Sequence, residues 1–243
     1  KEQLPVDYHS EAFTLESIIK VDKQLRCKRC YSQIEEDWQL PEGQYYCRAC
    51  IVFGRNQEGK ELYYFPSKTS EIEFPVLKWL GELTPYQAEV SEKLLETYQK
   101  QKDSLVHAVT GAGKTEMIYK IVAYVLGNKG RVAIASPRVD VCRELFLRMQ
   151  RDFTCSISLL HAESEPYDGS PLVIATTHQL LKFYQNFDLV IVDEVDAFPF
   201  VGNVMLNHAV EQAKKETGRY IYLTATSTLS LEEQVRLGAL EKH

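Results

Sequence analysis

The last two thirds of the chain alternate between short apolar runs and amphipathic helical patterns. From about residue 82 onward, hydrophobic runs are followed by stretches in which apolar residues recur every three or four positions. The run 189–192, Leu-Val-Ile-Val, is apolar throughout, as expected for a strand whose two sheet faces are both covered. This alternation predicts an α/β fold with a mostly parallel sheet between helices.

The pattern divides the chain into two parts. Residues 1–80 lack long helical periodicity and are rich in aromatic and charged residues, so we predict an N-terminal region at 1–80 and an α/β domain at 81–243. The predicted strands of the domain lie at 104–108, 131–135, 156–160, 172–175, 189–192 and 220–223. The predicted helices lie at 85–100, 114–126, 138–151, 178–183, 204–217 and 231–237.

Composition narrows the class of protein. The 243 residues are 44% hydrophobic and 26% charged, which is typical of a globular protein with a substantial core. No apolar stretch approaches the ~20 residues of a membrane-spanning helix, and no secretory signal is present, so we expect a cytoplasmic location, including the inner face of the cell membrane. The net charge of −6 gives no global attraction for nucleic acid, so any DNA contact needs a local basic patch.

A glycine-rich string follows the predicted strand 104–108. It reads Ala-Val-Thr-Gly-Ala-Gly-Lys-Thr from Ala108 to Thr115, with Ala108 in place of the commoner glycine. In a phosphate loop of this type, Lys114 reaches the β- and γ-phosphates of ATP, and the Thr115 hydroxyl binds Mg²⁺. The backbone N–H groups expected to cradle the phosphates are those of Thr110, Gly111, Ala112 and Gly113.

An acidic string, Asp193-Glu194-Val195-Asp196, follows the apolar run 189–192. Asp193 is the candidate magnesium ligand, and Glu194 is the candidate general base for the attacking water. Together with Lys114 they form the predicted catalytic set. Asp196 is expected to couple the site to neighbouring loops, and the hydroxyls of Thr224 and Thr226 are candidates for the same coupling.

Weaker signals surround these two strings. Gln87 carries a donor and an acceptor that suit an adenine edge, although the phosphate loop itself does not exclude GTP. Arg138 and Thr177 each follow a predicted strand, where they would contact a DNA backbone or serve as ordinary helix N-termini. Both interpretations of Arg138 and Thr177 stay open at the level of sequence.

Four of the six cysteines form two Cys-x-x-Cys pairs separated by sixteen residues. Cys27, Cys30, Cys47 and Cys50 match the spacing of a structural four-thiolate zinc site, with an iron–sulfur cluster or two disulfides as alternatives. The segment 38–46 is expected to form a hairpin that brings the pairs together. Lys28 and Arg29 beside these cysteines either bind a DNA backbone or compensate the charge of a Zn(Cys)₄ centre.

The motifs from Leu83 to Thr226, in this order, resemble the first RecA-like lobe of a superfamily 2 helicase or translocase. The motifs are Leu-Thr-Pro-Tyr-Gln, the phosphate loop, Ser-Pro-Arg, Thr-Thr-His, Asp-Glu-Val-Asp and Thr-Ala-Thr. The resemblance covers about residues 82–240 and implies ATP-driven movement along nucleic acid. It also implies a second lobe with an arginine finger, worth roughly 10³–10⁵ in rate, so hydrolysis by this chain alone is expected to be slow.

A four-cysteine module upstream of Gln87 resembles the ComFA family of competence ATPases more specifically. That resemblance implies a cytosolic motor that draws single-stranded DNA through the uptake channel at the membrane, with the partners ComFC and DprA. Two alternatives stay open: a PriA-like helicase of replication restart or recombination, and a zinc-dependent scaffold with a nucleotide switch. The intact Asp193-Glu194 pair argues against a pure switch, which has no need of a positioned base.

Overall fold

A seven-stranded parallel sheet forms the centre of the protein in a computed structural model, which describes residues 12–66, 72–109, 111–197, 199–200 and 202–243. Strands are numbered in chain order, and β1 to β6 precede this sheet. The strands of the sheet are β7 (Asp103–His107), β8 (Val132–Ser136), β9 (Ile157–Leu160), β10 (Leu172–Thr176), β11 (Phe187–Val192), β12 (Lys214–Thr224) and β13 (Leu240–Lys242). The strand order is β13-β7-β12-β11-β8-β10-β9, and every neighbouring pair is parallel. The predicted α/β fold is therefore confirmed.

Helices cover both faces of this sheet. They are α1 (Pro85–Gln99), α2 (Lys114–Met117), α3 (Tyr119–Gly127), α4 (Val139–Asp152), α5 (Val204–Ala213) and α6 (Leu229–Arg236), with a 3-10 helix at Thr177–Lys182. Helix α1 begins at Pro85, where the predicted helix 85–100 begins, and has a capping box between Thr84 and Gln87. None of the helices described is long and apolar enough to cross a membrane.

Several predicted elements differ in the structure. The helix expected at 114–126 breaks at Ile118, and the one expected at 178–183 is a 3-10 helix. The helix expected at 204–217 ends at Ala213, since Lys214 pairs with Phe187 of β11 and starts β12. A Cβ at Gly218 would lie 2.7 Å from the Phe187 carbonyl oxygen, so glycine permits this close pairing. Strand β13 was not predicted and pairs with β7.

The residues before the sheet form three antiparallel pairs of short strands. We call this segment, residues 12–66, the cysteine module. Its strands are β1 (Phe13–Glu16), β2 (Ile18–Val21), β3 (Gln24–Cys27), β4 (Tyr46–Cys47), β5 (Asn56–Gln57) and β6 (Glu61–Tyr64), and they pair as β1–β6, β2–β3 and β4–β5. The expected hairpin between the cysteine pairs is confirmed: Tyr46 N donates to Trp38 O, and Leu40 N donates to Gln44 O, at 3.0 and 2.8 Å.

The sheet has two apolar faces with different coverings. Alternate strand residues such as Ile134 and Ile191 pack among α1, α3 and α4, whereas Ala133 and Val190 face a second cluster with α5. The four module cysteines belong to this second cluster. The segment 76–79, expected in the N-terminal region, packs against the α/β domain, where Lys78 N donates to Asp152 O at 2.8 Å.

Candidate nucleotide site and cysteine cluster

The phosphate loop connects β7 to α2 with a backbone that glycine allows. Gly111 and Gly113 have φ angles of 82° and 76°, in the left-handed region. Gly113 caps α2, so Lys114 is its first residue, as predicted for a loop whose N–H groups face phosphate. Lys114 Nζ donates to Ala108 O at 3.0 Å and so stays folded over the loop. The predicted contact from Thr110 lies outside the described residues.

Asp193 stands at the carboxyl end of β11. Its N–H donates to Ala135 O at 2.8 Å, and its Oδ1 accepts from the Glu194 N–H at 2.9 Å. Burial raises the pKa of the Asp193 carboxyl, although the Glu194 N–H and the charge of Lys114 oppose that shift. A bound divalent cation would favour the ionised form of such a buried carboxylate, which suits the role of magnesium ligand.

Glu194 adopts a backbone conformation that is rare for a residue with a side chain. Its φ angle is 54°, in the left-handed region. One carboxylate oxygen, Oε1, lies 3.7 Å from Arg138 Nη1, while Oε2 is buried without a hydrogen-bond partner among the residues described. Strained residues with unsatisfied polar atoms concentrate at functional sites, and a free carboxylate oxygen is what a general base requires.

The glycine-rich and acidic strings open onto one cleft of about 710 Å³. Lys114 and Thr115 form one wall, and Asp193 and Glu194 form another. The cleft is also lined by Gly111, Gly113, Glu116, Arg138, Val141, Glu144, Leu145, Arg148, Asp196, Ala197 and Ala225. A triphosphate with its metal fits the chemistry of this lining, because glycine N–H groups, an amine, a hydroxyl and carboxylates converge there.

Asp196 links the acidic string to the loop after β12. Its Oδ2 accepts from Thr226 N at 3.2 Å and from Thr226 Oγ1 at 2.5 Å, while Thr224 Oγ1 donates to Thr226 O. Burial opposes ionisation of Asp196, but the hydrogen bonds from Thr226 and Thr224 hold its pKa below the ordinary value. The three residues predicted to couple the site to its surroundings therefore contact one another.

Gln87 lies against the phosphate loop. Its Nε2 donates to Ala112 O at 2.9 Å, and its Oε1 accepts from the Thr84 N–H at 2.9 Å. A Cβ at Gly113 would lie 2.4 Å from Gln87 Nε2, so the absence of a side chain there permits the contact. Gln87 thus connects the phosphate loop to the N-terminus of α1 through these two hydrogen bonds. Its contact with adenine stays a prediction.

The four cysteines of the module form one buried cluster. All are fully buried, and their Sγ atoms lie within 4.8 Å of one another. The Sγ–Sγ distances are 3.7 Å for Cys27–Cys50, 3.5 Å for Cys30–Cys47 and 3.6 Å for Cys47–Cys50. Tetrahedral zinc with Zn–S bonds of about 2.3 Å separates its sulfurs by about 3.8 Å, so the cluster is compatible with zinc.

Hydrogen bonds to sulfur support a thiolate cluster. Asn56 Nδ2 donates to Cys27 Sγ at 3.0 Å, and Arg29 Nε donates to Cys50 Sγ at 3.2 Å. Contact with the other thiols, Cys30 first, lowers the pKa of Cys27, while the same contacts and burial raise the pKa of Cys50. A divalent cation is what allows four adjacent buried thiols to be deprotonated together.

The sequence also matches a known family. Residues 84–234 match the DEAD/DEAH box helicase family. The chain belongs to this family. Helicases of this family are ATPases, and Lys114, Thr115, Asp193 and Glu194 of the glycine-rich and acidic strings line the 710 Å³ cleft.

Full-length relatives and solved helicases agree with this assignment. The chain is 54% identical to competence protein ComFA of Streptococcus pneumoniae and 36% identical to ComFA of Bacillus subtilis, covering 98% and 93% of this chain. It spans 58% and 51% of those relatives' lengths. The expected resemblance to ComFA is confirmed. The replication restart protein PriA of Bacillus subtilis is 23% identical over 65% of the chain and 22% of its own length.

Two solved structures share the fold. The Hef helicase domain of Pyrococcus furiosus superposes with a TM-score of 0.56 at 21% identity, covering 69% of this chain and 39% of that one. The UvsW helicase of bacteriophage T4 superposes with a TM-score of 0.52 at 14% identity, covering 69% and 63%. These similarities confirm the RecA-like architecture of the α/β domain.

The residues predicted to contact DNA have different environments. The Arg138 side chain is 54% exposed and pairs with Asp140 at 2.5 Å as well as with Glu194. Thr177 is fully buried, and its Oγ1 has no hydrogen-bond partner in the described part of the chain. The Arg29 guanidinium is bound within the module by Cys50, Phe53 and Gly54, which favours the charge-compensating role.

Sequence reasoning missed some residues of the site. Arg148 lines the cleft and bridges Glu116 of α2, at 3.2 Å, and Glu144 of α4, at 2.7 Å. The spacing of Glu144 and Arg148 by four residues signals a helical ion pair, but the contact with Glu116 depends on packing between helices.

The contact between α5 and the cysteine module was also missed, because it joins residues about 180 positions apart. His208 stacks on Tyr31 with ring centroids 5.0 Å apart, and Gln212 Nε2 donates to Arg29 O at 2.8 Å.

Proposed function

We propose that the protein is an ATP-dependent motor, stimulated by single-stranded DNA, that drives DNA import during natural transformation. The observation that carries the proposal is the shared cleft of Lys114, Asp193 and Glu194 in a chain that also holds a buried four-cysteine cluster. The 54% identity to a ComFA protein supports the competence role.

Each residue of the cleft has a separate role in the proposed hydrolysis of ATP. Mg²⁺, held by Thr115 and Asp193, would neutralise charge on the β- and γ-phosphates. Lys114 and the N–H groups from Thr110 to Gly113 bind and orient the phosphates, and Gln87 contacts adenine. Glu194 accepts a proton from the water that attacks the γ-phosphorus, and ADP leaves. An arginine from a second lobe would add roughly 10³–10⁵ in rate, so we expect slow hydrolysis by residues 1–243 alone.

Zinc in the cysteine cluster would be structural, since four thiolates leave no open coordination position. DNA contacts are proposed for Arg138, the loop at Thr177 and Lys28 of the module, whereas Arg29, bound to Cys50, is proposed to compensate the charge of the thiolates. The proposed partners are single-stranded DNA, ComFC, DprA and the uptake channel, which the protein would reach from the cytoplasmic face of the membrane.

Steady-state ATPase of the full-length protein, with and without single-stranded DNA, tests this function. We expect stimulation that weakens steeply with salt, because backbone contacts release counterions. Arg138→Ala should reduce the stimulation relative to the DNA-free rate of the same variant, which is the reference because Arg138 also lines the nucleotide cleft, with the exposed Lys100→Gln as control. An ATPase that ignores DNA would overturn the proposal.

A second candidate is a helicase of replication restart or recombination, which the 23% identity to PriA favours. The same assay separates the two functions when forked duplexes are compared with plain single strands. Greater stimulation by forks would favour replication restart. Normal ATPase with loss of partner binding in Cys27→Ser would assign the cysteine module a scaffold role.

A further inference from the structure

A second cavity, of about 250 Å³, lies where the cysteine module meets the α/β domain. Its walls come from four parts of the molecule: the first cysteine pair with the short 3-10 helix Ile51–Phe53, the paired strands β1 and β6, the segment 181–184 at the end of the longer 3-10 helix, and Gln212 of α5. It is separate from the nucleotide cleft, with which it shares no lining residue.

The lining of this cavity is basic and aromatic. It includes three basic residues, five aromatic residues and no acidic residue. The chain as a whole has 34 acidic and 28 basic residues, so an acid-free lining with three cations departs from the average surface. Such a lining attracts an anionic ligand that also has a flat apolar face.

Two amines at the cavity are available to a ligand. Lys28 Nζ lies 5.9 Å from the Tyr184 ring centroid, and Lys182 Nζ lies 5.9 Å from the Phe53 ring centroid. Neither amine has a hydrogen bond or an ion pair with a residue that the structure describes. Burial lowers the pKa of Lys182, as expected for an amine without an anionic partner.

Aromatic rings continue from the cavity to its rim. The rings of Tyr64 and Tyr184 are 4.9 Å apart, and Phe13 stacks on Tyr64 at 5.3 Å. Phe13 is 55% exposed, so the row of rings reaches solvent. Rings at this spacing are in contact with one another, and a planar group can stack on the ring faces that the row leaves open.

We propose that this cavity binds one nucleotide of single-stranded DNA, with its base against Tyr64 and Tyr184 and the flanking phosphates on Lys28 and Lys182. Aromatic platforms combined with amines are the features with which proteins hold single strands without sequence preference. The cavity is too small for a base pair within a duplex. An acidic protein segment would satisfy the amines but would leave the ring faces unused. The inference rests on the proposed function only in taking DNA as the ligand.

Binding of fluorescent oligonucleotides to the full-length protein, measured by anisotropy, tests this site. One oligonucleotide is oligo(dT), and the other has the same length with abasic positions, which keep the phosphates and remove the bases. Tyr184→Leu should weaken oligo(dT) binding roughly 5- to 150-fold and leave abasic binding unchanged, because only stacking is lost. Tyr184→Phe keeps the ring and should bind as the wild type does.

Lys182→Gln should weaken both oligonucleotides and reduce the slope of log K against log salt by about 0.7, the value for one phosphate contact on a single strand. Lys100→Gln removes the same charge from the end of α1, where Lys100 pairs with Glu96, and should change neither. Melting temperature and zinc content confirm that each variant is folded.

Two results would contradict the inference in different ways. Wild-type affinity for both oligonucleotides in folded Tyr184→Leu and Lys182→Gln would overturn the cavity as a DNA site and leave the motor function standing. Failure of the wild-type protein to bind oligo(dT) would overturn the proposed function together with the inference.

Discussion

At the scale of single residues, the acidic loop combines an unusual backbone conformation with the carboxylate proposed to act as general base. Glu194 has a left-handed backbone, one carboxylate oxygen near Arg138 and one buried oxygen without a described partner. The sequence identified Glu194 by its place after an apolar strand. It could not show the strain or the contact with Arg138, because both arise from loop geometry and long-range packing.

Glu194→Gln keeps the size of the side chain and removes its basicity. We expect steady-state ATPase to fall roughly 10²–10⁴-fold, the usual contribution of a general base, with ATP affinity retained. Parallel measurements of turnover and of nucleotide binding check this expectation. Asp140→Asn is the matched control, because Asp140 pairs with the same Arg138 outside the reaction centre. Full activity of Glu194→Gln would exclude Glu194 as the base.

At the scale of elements, the sequence predicted where helices and strands lie better than it predicted the residues at which they end. The ends of β8, β10, β11 and α1 lie within two residues of the predicted ones, since continuous apolar runs and a helix start at Pro85 are local signals. Helix α5 was predicted four residues too long, because pairing of Lys214 with β11 overrides local helical preference. Strand β13 is three residues long and has no local signal of its own.

Helix α5 also fixes the cysteine module to the sheet. Gln212→Ala removes the hydrogen bond to Arg29 O and should lower the free energy of unfolding by about 1 kcal/mol. It should also speed zinc release to a chelator, because the first cysteine pair loses a support. Urea unfolding and release kinetics measure these effects.

Asn207→Ala provides the control for that variant. Asn207 lies on the same helix, and the hydrogen bond of its side-chain amide among the residues described goes to Asn203 O, at the N-terminal cap of α5. Zinc release should therefore keep its wild-type rate. Equal release rates in wild type, Gln212→Ala and Asn207→Ala would show that α5 does not support the metal site.

At the scale of the whole molecule, two parts with different sources of stability share one core. The α/β domain buries a sheet on both faces, whereas the described part of the module buries one apolar side chain, Ile34, besides its cluster of four thiols. The spacing of apolar residues predicted the α/β domain, and the spacing of cysteines predicted the module. The order of the motifs predicted that the glycine-rich and acidic strings share a cleft. Neither spacing nor motif order could predict how the parts dock, since His208 and Tyr31 meet only in the folded chain.

Zinc removal should therefore destabilise the cysteine module more than the α/β domain. A chelator should increase amide hydrogen exchange across residues 13–64, because metal binding supplies much of the folding free energy of so small a module. Strands β7 to β12 should keep their protection, since the apolar cluster on their other face, around Ile134 and Ile191, contains none of the four cysteines. Hydrogen exchange with mass spectrometry measures both regions at once. Unchanged exchange in the module would contradict a structural metal.

The central claim is that the glycine-rich loop and the acidic loop bind one nucleotide with its metal. A crystal structure of the protein with Mg²⁺ and a non-hydrolysable ATP analogue tests it most directly. We expect the β- and γ-phosphates at Lys114, and the metal between Thr115 and Asp193 with Glu194 facing the γ-phosphate. A nucleotide bound outside this cleft, or a metal out of reach of Asp193, would contradict the account.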